Sequence, residues 1–243
     1  MKLKTIFLTL ALSACVSSQG VPNKQTESAV FRVQTLQGKG VGTVFLIDEL
    51  TPGAGPRLLT AAHVCMVAFE VPERNLFVEV GGQLETLQVD QLDLASDFCT
   101  IKIPESMKNV RPLQISRFEA AHGDRLATIG YPFGEKIKIS DEGYYLEPQE
   151  ITIPLGIIPT DRLCIPPSNF EMLEPMLEQL KACFFKRLWQ ITTATAHPGN
   201  SGGPVVNSYG KVVGVVSIGD QRTLTAGYIK IQEIQANATK VVN

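Results

Sequence analysis

Eight residues near the C-terminal end, PGNSGGPV at 198–205, place Ser201 between Gly199 and the pair Gly202 and Gly203. A glycine two positions before a serine permits a tight, unusual turn, and because it has no Cβ a substrate carbonyl can approach the backbone N–H groups. A nucleophilic serine requires this setting, since those N–H groups stabilise the oxyanion of acyl transfer. A plain glycine-rich turn has the same composition, so the stretch alone leaves both interpretations open.

A second block, LLTAAHVC at 58–65, places His63 after an apolar strand and a turn of small residues. Small neighbours keep an imidazole accessible to a substrate. The other two histidines carry less weight, because His122 lies in the loop AAHGDR and is interpreted as a surface residue, and His197 as a loop residue near the serine. A reachable histidine together with such a serine indicates nucleophilic catalysis with a general base.

Short β-rich runs alternate with Gly or Pro clusters between residues 28 and 135. This spacing predicts an antiparallel sandwich or barrel rather than βαβ units, so the expected class is all-β. Runs of the same kind follow at 150–158, 188–194, 204–206 and 212–218. Helices are predicted over 169–188 and in the run from Ile231, where apolar residues fall at helical spacing. In the first of these stretches the spaced residues are Phe170, Leu173, Met176, Leu177 and Leu180.

The two blocks together resemble the chymotrypsin-like peptidase superfamily, in particular its bacterial trypsin-like and HtrA-type branch. In that family a Thr-Ala-Ala-His block carries the general base and Gly-Asn-Ser-Gly-Gly-Pro carries the nucleophile. TIGYPFG at 128–134 is similar to a Gly-x-Pro-x-Gly segment of HtrA-type enzymes. The resemblance implies two six-stranded antiparallel β-barrels, over residues 28–118 and 119–243, with a helical insertion at 164–188 and a C-terminal helix.

The same resemblance implies an aspartate between the two blocks, at the start of a hydrophobic strand. SDFCTIKI at 96–103 supplies Asp97. Asp90 and Asp93 are nearby competitors, but neither precedes a strand-like run that would hold a carboxylate in a core. Asp97 is therefore the predicted partner of His63, and it would orient the imidazole and stabilise the imidazolium.

By the resemblance, Ser201 attacks a peptide carbonyl, the N–H groups of Gly199 and Ser201 form the oxyanion hole, and Ser217 hydrogen-bonds the aspartate. No metal or cofactor is expected. The substrate-binding residues that the family implies are Thr195, Val216, Ser217, Ile218 and Gly219.

Specificity follows from two of these positions. Thr195, at the expected base of the primary pocket, offers no carboxylate for a basic side chain, and Val216 stands where glutamate-specific relatives have a histidine. We therefore expect cleavage after small or medium aliphatic residues.

The N-terminal residues read as an export signal. Lys2 and Lys4 precede an apolar run at 6–12 that is too short to span a bilayer. Leu-Ser-Ala-Cys at 12–15 resembles the lipobox of bacterial lipoproteins, which implies removal of 1–14, acylation of Cys15 and a polar tether over 15–27. A common signal peptide that happens to contain a cysteine stays open. The expected location is the periplasm or the cell surface, with the membrane as a lipid-anchored partner.

Export favours disulfides. Because Cys65 lies two residues after the expected base and Cys99 two after the expected acid, the family layout predicts a Cys65–Cys99 bridge, and a Cys164–Cys183 bridge would close the helical insertion. Two buried free thiols are an alternative to the first bridge. A zinc site is another, although its spacing fits no known zinc framework. Its ligands would be His63, Cys65, Cys99 and His197.

Composition excludes one class of partner. With 22 Lys and Arg against 24 Asp and Glu, the chain has no cationic excess to neutralise phosphates, so nucleic acid is not an expected partner. The predicted function is that of a membrane-tethered, monomeric serine endopeptidase acting on polypeptides. A catalytically silent binding protein on the same scaffold and an esterase or acyl-transfer enzyme are the alternatives.

Overall fold

The structure is a computed structural model, and it describes residues 24–69, 71, 73–136, 138–157, 182–220 and 222–241. Within these ranges the chain forms two antiparallel sheets of seven strands each, three α-helices and three short 3₁₀ turns. The all-β class predicted from the sequence is confirmed.

The N-terminal sheet has the strand order β5-β4-β1-β2-β3-β7-β6. Its strands are β1 (Val30–Gln34), β2 (Gly40–Ile47), β3 (Arg57–Thr60), β4 (Phe77–Val80), β5 (Gln83–Thr86), β6 (Val89–Asp93) and β7 (Phe98–Ile101). The helices beside it are α1 (Lys24–Ser28) and α2 (Ala62–Met66).

The C-terminal sheet has the order β10-β11-β14-β13-β12-β8-β9. Its strands are β8 (Arg125–Gly130), β9 (Ile139–Tyr144), β10 (Gln149–Ile157), β11 (Ala182–Thr192), β12 (Pro204–Asn207), β13 (Val212–Asp220) and β14 (Thr225–Lys230). The helix α3 (Ile231–Val241) follows the last strand directly.

The principal hydrophobic core extends across both sheets. Phe45 and Phe98 of the N-terminal sheet belong to the same buried cluster as Ile129 and Val215 of the C-terminal sheet. Burying apolar side chains contributes about 1.5–3 kcal/mol for each large residue. The relative placement of the two sheets therefore rests on a shared core, and a site between them is positioned by that core.

Helix α3 attaches the C-terminal sheet to the N-terminal one. The sequence predicts an apolar stripe of Ile234, Ala238 and Val241 on this helix. Ile234 is fully inaccessible and Ala238 is 2% exposed, as expected, and Ile231 at the start of the helix is also fully inaccessible, while the side chain of Val241 lies outside the described residues. The polar side of α3 reaches back, since the amide of Asn237 donates a hydrogen bond to the hydroxyl of Ser96 at 2.5 Å. The turn that contains Ser96 is thereby fixed by the last helix.

Two details of the prediction are corrected. Each sheet contains seven strands rather than six, and in the N-terminal sheet Gly81 and Gly82, both at positive φ, make a tight turn that separates β4 from β5. The predicted helical insertion was also too long, because residues 182–188 pair with β10 as part of β11. The helical spacing ends at Leu180, whereas β11 is rich in aromatic and β-branched residues that favour strands. Residues 164–181 lie outside the described residues.

Among the described helices, none is both long enough and apolar enough to cross a membrane.

Replacing Ile234 by alanine is expected to lower the free energy of unfolding by about 2–5 kcal/mol, because truncation leaves a cavity under α3. Urea unfolding followed by circular dichroism measures the change. Gln235→Ala, at the half-buried neighbouring position, is the matched control and should shift stability by no more than about 0.5 kcal/mol. Equal effects of the two substitutions would contradict the packing described for α3.

Candidate active site

His63 and Asp97 lie at the same end of two paired strands. Thr60, the last residue of β3, is directly opposite Cys99 of β7. The chain leaves β3 into the short helix α2, which carries His63, and enters β7 from the turn that carries Asp97. Antiparallel pairing therefore brings these two residues together although 34 positions separate them.

The carboxylate of Asp97 binds His63 at two points. Its Oδ1 accepts the backbone N–H of His63 at 3.0 Å, and Nδ1 of the imidazole lies 3.1 Å from Oδ1 and 3.0 Å from Oδ2. Asp97 has φ 47°, a left-handed conformation that aspartate tolerates better than most residues. This backbone geometry at a site residue is a local strain held by the surrounding contacts.

The carboxylate of Asp97 and the imidazolium of His63 stabilise each other's charged forms. Burial by itself lowers the pKa of His63, but the charge of Asp97 and its hydrogen bond outweigh burial, so the net pKa is raised above 6.5. Burial likewise opposes ionisation of Asp97, yet the charge of His63 and the hydrogen bonds from His63 and Ser217 keep the pKa of Asp97 below 3.8. The pair therefore favours an ionised carboxylate beside an imidazole whose Nδ1 carries a proton.

A β-bulge in β13 connects this pair to Ser201. Val216 pairs with Tyr228 and Ile218 with Gly227, so Ser217 is the extra residue, and such bulges redirect a side chain. The hydroxyl of Ser217 donates to Oδ2 of Asp97, and its carbonyl oxygen accepts the hydroxyl of Ser201 at 3.4 Å. A single residue of the C-terminal sheet thus contacts both the acid and the serine.

The hydroxyl of Ser201 does not bond the imidazole in this structure. Among the described residues its only hydrogen-bond partner is the Ser217 carbonyl. Hydrogen bonds of this kind are often loose before a substrate binds. Contact with His63 therefore requires the hydroxyl to exchange the Ser217 carbonyl for Nε2 of the ring.

Residues 198–203, which contain Ser201 and precede β12, form the serine loop. Thr43 of β2 joins this loop to the N-terminal sheet. Its N–H donates to the carbonyl of Ser201 at 2.9 Å, and its hydroxyl donates to the carbonyl of Gly199 at 2.7 Å. The loop must come very close, since a Cβ at Gly202 would lie 1.9 Å from the hydroxyl oxygen of Thr60. Sequence reasoning missed Thr43, because within GVGTVFLI it looks like an ordinary strand residue.

The loop leaves two backbone N–H groups available. In the described chain, neither the N–H of Gly199 nor that of Ser201 donates to another protein atom. Gly199 has φ +97°, and the carbonyl of the preceding Pro198 accepts the N–H of Phe133. Because C=O and N–H point in opposite directions across a trans peptide, this contact turns the Gly199 N–H away from Phe133. Two such donors can bind a developing oxyanion.

A pocket of about 440 Å³ opens beside Ser201. Its lining consists of Ala196, His197, Pro198, Ser201, Val216, Ile218 and Gly219. Three predicted substrate-binding residues, Val216, Ile218 and Gly219, are in this lining, whereas Thr195 and Ser217 are not. Among the lining residues that the structure describes there is no carboxylate, lysine or arginine.

Two segments of the pocket lining are in close backbone contact. A Cβ on Gly219 would lie 2.1 Å from the carbonyl oxygen of Ala196, so the two walls touch at that point. Thr195, which precedes the lining residue Ala196, donates its N–H to the carboxylate of Asp141 at 2.5 Å, and its carbonyl accepts the hydroxyl of Thr128 at 2.9 Å. Asp141 was not anticipated from the sequence, because nothing local to β9 indicates that it reaches this segment.

The remaining candidates are placed as follows. A disulfide joins Cys65 and Cys99, whose Cα atoms are 6.5 Å apart, which leaves neither sulfur as a free thiol or zinc ligand. Asp90 pairs with Arg57 at 3.2 Å, and Asp93 accepts the N–H of Ser96 at 3.1 Å, so both competitors of Asp97 have other partners.

His122 is exposed and lies 3.5 Å from a carboxylate oxygen of Glu147. Cys15, Cys164 and the side chain of Cys183 lie outside the described part of the chain.

Comparison with known proteins identifies the fold and the family. The profile of the trypsin-like peptidase domain matches residues 42–215, which is most of the chain. The chain belongs to the trypsin-like peptidase family. It is accordingly a serine endopeptidase by family, and its substrates are polypeptides.

Two solved structures illustrate the likeness. The peptidase resembles the active form of the Rv3671c protease from M. tuberculosis, with a TM-score of 0.62, 22% identity, and coverage of 88% of this chain and 81% of that one. It also resembles the HtrA-type protease AlgW bound to a tripeptide, with a TM-score of 0.60, 18% identity, and coverage of 90% and 62%. The predicted chymotrypsin-like fold and the HtrA-type resemblance are confirmed. No curated protein matches the peptidase.

Replacing Asp97 by asparagine is expected to move the pKa of His63 from above to below 6.5, since the carboxylate that raises it is gone while burial still lowers it. NMR titration of the imidazole signals measures this shift. Asp93→Asn removes a carboxylate at the end of β6, just before the same turn, that accepts the N–H of Ser96 and makes no hydrogen bond with the ring in the described part of the chain, so it should leave the His63 titration unchanged. A His63 pKa that is the same in all three proteins would refute the pairing.

Proposed function

We propose that Ser201 is the nucleophile of this peptidase, His63 its general base and Asp97 the residue that orients the base. The observation that carries the proposal is the double role of Ser217, whose hydroxyl contacts Asp97 while its carbonyl accepts the Ser201 hydroxyl. The His63–Asp97 contacts lie at one end of this chain of bonds and the serine loop at the other. The arrangement fits the Ser-His-Asp triad of a serine peptidase.

In the proposed reaction, Nε2 of His63 removes the Ser201 proton as Oγ forms a bond to the peptide carbonyl carbon. The carbonyl oxygen becomes an oxyanion and accepts the N–H groups of Gly199 and Ser201, each worth about 2.7–4 kcal/mol in the transition state. The C–N bond then breaks, and the leaving amine takes the proton from His63. Water attacks the resulting acyl-enzyme by the same route, with His63 again as base.

The acyl half of the substrate is proposed to pair with the edge of β13 at Ser217 to Gly219, as an added antiparallel strand. Its terminal side chain would enter the pocket bounded by Ala196, Val216 and Gly219. Small and medium aliphatic side chains suit this pocket, because Ala196 and Val216 are apolar and Gly219 lies close to the Ala196 carbonyl.

The location is also a proposal. The lipobox-like sequence ending at Cys15 supports acylation of that thiol and attachment to a membrane outside the cytoplasm, with the polar residues up to 27 as a tether. Each buried methylene contributes about 0.8 kcal/mol, so two or more acyl chains anchor a protein stably. We propose that the tethered peptidase acts as a monomer.

Purified protein spanning residues 20–243 is expected to react with a fluorophosphonate probe at Ser201. The probe requires an activated serine, so Ser201→Ala should abolish labelling and His63→Ala should lower its rate at least a hundredfold, the lower end of general-base contributions. Mass spectrometry of the labelled peptide locates the adduct. Absence of labelling in folded protein would favour a catalytically silent binding protein, a reading consistent with the serine hydroxyl bonded to Ser217 instead of the imidazole.

A peptide library varied at the residue before the scissile bond is expected to give products mainly after Ala, Val and similar side chains. Hydrophobic pockets discriminate by about 10–200-fold, so Lys, Arg and Glu should be cleaved at least tenfold less efficiently. Values of kcat/KM for matched peptides measure the preference. A profile dominated by Lys, Arg or Glu would reject the proposed pocket chemistry, while turnover of small esters without cleavage of any peptide would favour an esterase.

A further inference from the structure

Phe133 and His197 form an aromatic ledge beside the serine loop. Their rings stack with centroids 5.0 Å apart and planes inclined by 28°. The side chain of Phe133 is 64% exposed, so its outer surface is open to solvent. Below it, His197 contributes to the lining of the primary pocket. The ledge therefore continues directly from the pocket, with His197 shared between the two.

The backbone of Phe133 is held in an unfavourable conformation. Its φ of 57° and ψ of 16° lie in the left-handed region, which a bulky aromatic residue rarely occupies. The strain is maintained by neighbours, because the N–H of Phe133 donates to Pro198 and the N–H of Gly134 donates to Tyr131 at 3.1 Å. Burial of the ring does not explain a strained and largely exposed phenylalanine. Strain of this kind concentrates at ligand-binding sites.

With the acyl half paired to β13 as proposed, the ledge lies on the side of Ser201 that faces the residues after the scissile bond. The serine loop meets β13 at one flank, where the N–H of Gly202 donates to Val216 at 2.7 Å. At the other flank, a Cβ on Gly199 would lie 2.6 Å from the nitrogen of Gly134. An acyl half paired with β13 therefore leaves the turn that contains Phe133 next to the residues beyond the scissile bond.

The N-terminal sheet adds a second apolar group to the same region. The guanidinium of Arg32 donates at 2.7 Å both to the carbonyl of Gly38, in the turn between β1 and β2, and to the carbonyl of Gly134. This places the β1–β2 turn against the Phe133 turn. Leu36 in the β1–β2 turn is 55% exposed. Two exposed apolar side chains, one from each sheet, thus lie in turns that are joined through Arg32.

We infer that Phe133, supported by His197 and flanked by Leu36, binds a bulky apolar side chain at one of the first two positions after the scissile bond. The inference rests on the proposed function. The peptidase would then prefer a bulky apolar residue after the scissile bond, in addition to a small aliphatic residue before it. Apolar contact with the ring removes water from both surfaces, and this gives the preference for Leu or Phe over Gly or charged residues.

Internally quenched peptides with one fixed acyl half, varied to Gly, Leu, Phe, Asp or Lys at each of the two following positions, test the inference. At one position Leu or Phe should raise kcat/KM about tenfold over Gly, the lower end of hydrophobic discrimination. Phe133→Asn removes the ring, while asparagine tolerates the left-handed backbone and keeps the N–H to Pro198. It should reduce the preference to about twofold or less. Tyr209→Ala, at an aromatic residue 84% exposed in the turn after β12, is the matched control and should retain the preference.

An ethyl thioester of the same acyl half separates the possible failures, because it has no residues after the scissile bond. Its turnover should be the same in Phe133→Asn and in the unmodified peptidase. If the thioester slows as much as the peptides, Phe133 acts on the oxyanion donors or, through His197, on the primary pocket, and the inference is wrong while the proposed function stands. It is equally wrong if the unmodified peptidase prefers Asp or Gly, or if Phe133→Asn keeps the preference. Failure of fluorophosphonate labelling rejects the proposed function and the inference with it.

Discussion

The carboxylate of Asp97 joins the two sheets at the candidate site. It accepts hydrogen bonds from the backbone and ring of His63 on the N-terminal side and from Ser217 on the C-terminal side. Its side chain is only 13% exposed, and an ionised carboxylate at that depth is costly without donors. Ionisation of Asp97 and docking of the two sheets are therefore coupled. A displacement of β13 would remove the Ser217 hydroxyl as a donor and weaken the contact between Asp97 and the imidazole.

The serine loop belongs to the C-terminal half of the chain but is held by hydrogen bonds from the N-terminal sheet. Thr43 holds it by two hydrogen bonds, and the contact of Gly202 with Thr60 leaves no space for a side chain. Donors from the N-terminal sheet thus fix a loop of the C-terminal sheet, while a donor from the C-terminal sheet, Ser217, fixes the acid of the N-terminal one. Neither sheet holds a complete site by itself. The hydrophobic core that the two sheets share keeps both sets of hydrogen bonds in place.

Local patterns in the sequence were sufficient for the fold class, the family and the residues around the serine. Gly199, Ser201, His63 and Asp97 lie in short motifs whose meaning does not depend on distant contacts, and their catalytic roles stay predictions. Thr43, Asp141 and Phe133 were missed because each acts through residues more than 50 positions away. The extent of the helical insertion was wrong at 182–188, where no periodic apolar residue supported a helix and strand pairing with β10 determines the structure.

The hydrogen bond from Asn237 to Ser96 has a consequence for biosynthesis. Ser201, Ser217 and Asn237 are all translated after the segment that carries His63 and Asp97 has emerged from the ribosome. In a nascent chain the turn that carries Ser96 and Asp97 therefore cannot form its hydrogen bonds with Ser217 and Asn237 until the C-terminal sheet and α3 have been made.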